Sequence, residues 1–146
     1  MLTIGGICKG GAGSASVNLR TQLPQLEREF PEIHGCHHGT LNIQLDSPLL
    51  VLTPDHRSNA IDWQPDHHPG GEVFDLLRIE LEVPEGARRS RAWLYIAHNS
   101  DHRKNPMMHE IIAPYLSLAP NARCKVHINR AYVQLPYREW PAFLVL

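Results

Sequence analysis

The sequence is short of cysteine, of charge of one sign and of long apolar runs, and each shortage excludes something. Three cysteines among 146 residues, Cys8, Cys36 and Cys124, are odd in number and form no CxxC pair. No disulfide framework is expected; the three thiols read as small apolar residues of a protein kept in a reducing, cytoplasmic compartment. Fourteen Lys and Arg stand against 15 Asp and Glu, a net charge of −1. That balance argues against a broad electrostatic footprint for nucleic acid or for an anionic membrane. Met1-Leu2-Thr3-Ile4-Gly5-Gly6 has neither a basic start nor a long apolar stretch, so no secretory signal and no membrane span is expected. No internal repeat, heptad or low-complexity tract occurs.

Turn-forming residues are abundant instead. Twelve prolines and ten glycines punctuate a chain that is 42% hydrophobic and 20% charged, the size and make-up of one globular domain with or without a tail. Residues 3–8 read as a strand entering the loop Gly10-Gly11-Ala12-Gly13-Ser14. Thr21 is placed to cap a short helix with Pro24 in its first turn and Leu23, Leu26 and Phe30 on one face, ended by Pro31. A strand from Thr40 and the apolar run Leu49-Leu50-Val51-Leu52 follow. Residues 53–71 are polar and rich in His, Asp and Pro, and read as a long surface excursion.

Val73 to Val83 alternates most clearly: Leu77, Ile79, Leu81 and Val83 share a face that is apolar apart from Asp75, and the opposite face turns polar after Leu76. Arg88-Arg89-Ser90-Arg91, after Pro84-Glu85-Gly86, reads as a solvated turn, and Arg91 to Ala97 as the next strand. A helical turn is expected from Met107 to Ile112 ahead of Pro114. Cys124, Val126 and Ile128 mark a late strand. Such short strands between turn signals predict a mostly β protein, a small barrel over residues 1–130. Residues 131–146 form a tail that packs on the barrel or pairs two subunits into a homodimer.

Ten histidines are the compositional oddity. His37-His38 and His67-His68 are adjacent pairs, and strand neighbours point to opposite faces, so each makes a poor joint ligand set. His34 with His37, or His98 with His102, converge only if locally helical. His109-Glu110 opens like a zinc-protease helix, but Ala113 stands where the second histidine must be. A histidine-dependent metalloprotein, with ligands from His56, His67 and His68, is one candidate reading.

The segment Gly39-Thr40-Leu41-Asn42-Ile43-Gln44-Leu45 carries the most chemistry. As a strand it puts Leu41, Ile43 and Leu45 on one face and Thr40, Asn42 and Gln44 on the other. Thr40 and Asn42 then offer two uncharged oxygens side by side, suited to a hard cation such as Mg²⁺ that takes its other ligands from phosphates and water. An ordinary half-buried strand with a polar outer face fits the same pattern. The Gly10–Ser14 loop follows a strand, where backbone N–H groups cradle phosphates, but it is neither a Walker A loop nor a GxGxxG fingerprint. No GxSxG elbow supports Ser14 or Ser16 as a nucleophile. Glu110, at the edge of the apolar run Ile111-Ile112-Ala113, reads either as an acceptor or base, or as a helix-terminal charge.

Taken in order, the strand, glycine loop, short helix, GTLNIQL and EIIAP resemble the CTP-dependent riboflavin kinase family of archaeal type, over roughly residues 4–129. That resemblance implies a six-stranded cradle-loop β-barrel of the riboflavin-synthase-like kind, with one or two short helices. It implies a transferase that moves the γ-phosphate of CTP to the 5′-hydroxyl of riboflavin, giving FMN and CDP. It places Mg²⁺ on Thr40 and Asn42, the nucleotide phosphates on Gly10, Gly11, Ala12, Gly13, Ser14 and Ala15, and the flavin on Glu110 and His102. The departures are specific. Ala12-Gly13-Ser14 lacks the acidic residue of the family's loop, and His37-His38 stands where a proline is usual. His102 replaces a flavin-binding threonine, unless Ser100 serves, and Tyr115-Leu116-Ser117-Leu118 shortens the wall around the base. A nucleotide- or flavin-binding module without turnover fits the same motifs.

Overall fold

A computed structural model describes residues 1–9, 22–37, 39–62, 70–83, 88–98, 107–116, 118–119 and 121–135. Six long strands carry the fold: β1 (Leu2–Lys9), β2 (Leu41–Leu45), β5 (Phe74–Val83), β6 (Arg88–Ala97), β7 (Met108–Ile112) and β8 (Arg123–Ile128). They pair antiparallel in the order β5-β6-β7-β2-β1-β8, and β8 pairs back onto β5. The result is a closed six-stranded barrel, as expected, with no free edge among those strands. Two short pairings decorate it: β3 (Leu50–Val51) with β9 (Val133–Gln134), and β4 (His56–Arg57) with β5. Among the described residues, no helix is long and apolar enough to cross a membrane.

Side-chain alternation fills two cores. Ile4, Ile43, Leu77, Leu94, Ile111 and Val126, drawn from all six strands, pack inside the barrel with Cys8 and Cys124. The second core lies on the outer wall of β5, β6 and β7. There the helix α1, residues 22–29, and the 3-10 turn Pro31–Ile33 bring Leu23, Leu26 and Ile33 against Phe74, Leu76, Trp93, Tyr95 and Ile112. The expected helix is present with its apolar face buried; Pro31 opens a 3-10 turn as it ends α1, and Thr21 lies outside the described residues. The tail begins with β9, whose Val133 enters the barrel core, and residues 136–146 lie outside the described set.

Three local expectations are corrected. Arg88-Arg89-Ser90-Arg91 is the start of β6, not a turn, because its residues pair in register with β5 and Arg89 gains ion pairs with both Glu82 and Glu80 on the solvent face. Met108–Ile112 is strand β7, not a helical turn: β2 and β6 flank it and satisfy its backbone from both sides, which outweighs the local pattern. The stretch over 53–71 is not all excursion. Its first part returns to the sheet through β4, the buried Ser58 hydroxyl accepting from the Phe74 N–H, and an Ile61–Glu72 bridge; residues 63–69 lie outside the described set.

Candidate functional site

On β2, Ile43 and Leu45 point into the barrel, so Asn42 and Gln44 point out. Register then lines up a row of outward side chains across four strands. Lys9 on β1 lies opposite Asn42, Asn42 opposite Glu110 on β7, and Glu110 opposite Tyr95 on β6. Directly opposed residues share a face with Cβ atoms about 4.5–5.5 Å apart, so these four side chains are immediate neighbours. Thr40 sits next to the row, just before β2 starts, at 8% exposure.

The polar balance of the row is uneven. Thr40 Oγ1 and Asn42 Oδ1 are both buried, and among the described residues neither has a hydrogen-bond partner. A buried oxygen left unpaired costs about 1–3 kcal/mol, and native proteins carry few of them. The two oxygens belong to residues two apart in the chain, Thr40 just before β2 and Asn42 within it, so they offer neighbouring acceptors to a ligand. Both are neutral oxygens, a donor type that Mg²⁺ accepts. The residues present therefore fit a divalent cation that draws further ligands from phosphates and water.

The other end of the row is closed off. Tyr95 is buried, stacks on Phe74 with ring centroids 5.4 Å apart, and donates its hydroxyl to Gln22 Oε1 at the start of α1. Burial pushes the Tyr95 hydroxyl's pKa up, and the negative charges of Glu110 and Glu72 push it further. Tyr95 thus stays protonated, and Gln22 is tied to the row. Gln22, at the start of α1, thus meets the row at Tyr95, the opposite end from Lys9.

The remaining sequence-picked residues fall as follows. Gly10, Gly11, Ala12, Gly13, Ser14, Ala15 and His102 lie outside the described residues, as do His67, His68 and Ser100. Thr40, Asn42 and Glu110 come together. His56 lies on the same row, beyond Tyr95 and Leu76 on the side away from Asn42; it is 2.9 Å from Glu32, stacks on Phe30 and fastens the Pro31–Ile33 turn to the barrel. Among the described residues, no group of three His, Cys, Asp or Glu gathers to hold a metal. The cysteines are buried and free: Cys8 and Cys124 Sγ atoms are 3.5 Å apart, and burial pushes the Cys36 thiol up to about 11.

Sequence reasoning missed Lys9, Gln22 and Tyr95. Lys9 had a signal, a charge at the junction of strand and glycine loop; Tyr95 had only its place opposite Leu94 and Ile96 on an apolar strand. Neighbourhood in this row follows from register across four strands, which no local spacing reveals. No protein-family model matches the chain, and no curated protein does.

Proposed function

We propose that the protein is a Mg²⁺-dependent phosphotransferase of the riboflavin kinase kind, moving the γ-phosphate of CTP to riboflavin to give FMN and CDP. The observation that carries this reading is the pair of buried, unpartnered oxygens, Thr40 Oγ1 and Asn42 Oδ1, beside Glu110. The order of the glycine loop, GTLN and EIIAP along the chain supplies the choice of substrates. Bound Mg²⁺ would neutralise charge on the transferring phosphate. Thr40 and Asn42 hold it by neutral side chains, so the phosphates remain its strongest partners. Glu110, a half-buried acceptor one strand away, receives hydrogen bonds from the flavin.

The reaction asks little else of the protein. The riboflavin 5′-oxygen bonds to the γ-phosphorus, the bond to the β–γ bridging oxygen breaks, CDP departs with that oxygen, and the hydroxyl proton passes to solvent. Positioning and charge stabilisation carry most catalysis of this kind. The test incubates the purified protein with riboflavin, Mg²⁺ and either CTP or ATP and follows FMN. FMN with CTP is expected. If neither nucleotide yields FMN nor raises the melting temperature, the reading fails; a melting shift without FMN points to a binding module.

A further inference from the structure

Lys9 is the last residue of β1, half-buried, and stands directly opposite Asn42 on the outer face of the barrel. Its ammonium has three donors, and its contact among the described residues is the neutral Asn121 Oδ1 at 3.4 Å, at the long limit for a hydrogen bond. No carboxylate pairs with it there, whereas Arg57, Arg89 and Arg123 on the same barrel each meet Asp or Glu. Residues 10–21, which follow, contain no Asp or Glu and one Arg. Among the described residues its ammonium thus has one weak, neutral contact, on the β8 side, while the residue stands opposite Asn42, next to the two unpaired oxygens, with donors to offer an anion bound there.

We infer that Lys9 is a phosphate-binding residue of this site and shares the terminal phosphates of a nucleoside triphosphate with the cation on Thr40 and Asn42. A point charge beside a metal ion is an arrangement that recurs where phosphates are held, because the two positive centres divide the charge of one polyphosphate between them. A carboxylate at position 9 would instead draw the metal onto the protein and away from the phosphates. Lys9 adds positive charge without adding a metal ligand.

This inference rests on the nucleotide reading above, and the experiment separates the two. Binding of CMP, CDP and CTP is measured by calorimetry in Mg²⁺ for the wild type, Lys9→Met and Lys9→Arg, with circular dichroism to check that each is folded. Lys9→Met is expected to weaken CTP by roughly tenfold to a hundredfold, CDP less and CMP least, the loss of one charge-assisted contact. Lys9→Arg keeps CTP binding within about threefold, since charge and donors remain. Wild-type binding of CTP that Lys9→Met leaves unchanged overturns the role of Lys9 and spares the cation site. A loss equal for all three nucleotides also overturns it, because that pattern marks structural damage. A wild type that binds none of them overturns both.

Discussion

At the scale of single residues, the informative atoms are those without partners. Most polar side chains on the outer wall are committed: the buried His127 ring lies 2.8 Å from Thr3 Oγ1 and 3.3 Å from Glu82 Oε1, and Arg57 grips Asp75 through two hydrogen bonds. Among the described residues Thr40 and Asn42 break that rule, two residues apart in the chain. Replacing Thr40 by Val keeps its shape and removes the unpaired oxygen. Thermal melts of the free protein should show Thr40→Val as stable as wild type or more so, by up to about 1–2 kcal/mol. A loss of more than about 1 kcal/mol would mean that the hydroxyl already serves the fold. With Mg²⁺ and CTP present the ranking should reverse, because only the wild type gains from binding.

Among the strands, close packing of β1 on β2 positions the Lys9–Asn42 pair, and two adjacent glycines test it differently. A Cβ on Gly6 would lie 2.9 Å from the Gln44 carbonyl oxygen and 3.0 Å from Ile43 Cγ2, both fixed inside the sheet. A Cβ on Gly5 would meet the end of the exposed Asp46 side chain, which can swing away. Denaturant melts should therefore find Gly6→Ala destabilised by about 1–3 kcal/mol, as overpacking of a tight site is, and Gly5→Ala nearly unchanged. Equal effects would contradict this packing. β2 and β5 were legible in the sequence because each alternates by itself: Leu41, Ile43 and Leu45 in one, Leu77, Ile79, Leu81 and Val83 in the other. β7 and the start of β6 were not, since the strands that make them strands lie far away in the chain. The same cause hid half of the site: Thr40, Asn42 and Glu110 follow from motif order, whereas Lys9 and Tyr95 join them only once register is known.

For the molecule as a whole, a closed barrel with a helix packed on one wall makes a rigid frame, and its polar fastenings should set its acid limit. Burial raises the Asp75 carboxyl's pKa, but hydrogen bonds and charge from Arg57 and His98 outweigh it and hold the group below its ordinary value. A depressed folded pKa contributes stability above the unfolded value of about 3.9 and loses it as pH falls through the folded one. Melting temperature should therefore drop on acidification below about pH 4. Asp75→Asn should be less stable at neutral pH and lose less on going to acid; an unchanged slope would remove Asp75 from the account.

The claim on which everything else depends is that Thr40 and Asn42 hold a divalent cation together with a polyphosphate. Mn²⁺ takes similar oxygen ligands and is visible by electron paramagnetic resonance, so it serves in place of Mg²⁺. Titrating Mn²⁺ into the protein with CTP should show one ion taken up per chain, and the Thr40→Val, Asn42→Ala double variant should bind it at least about tenfold more weakly. Equal uptake by wild type and double variant would contradict the account.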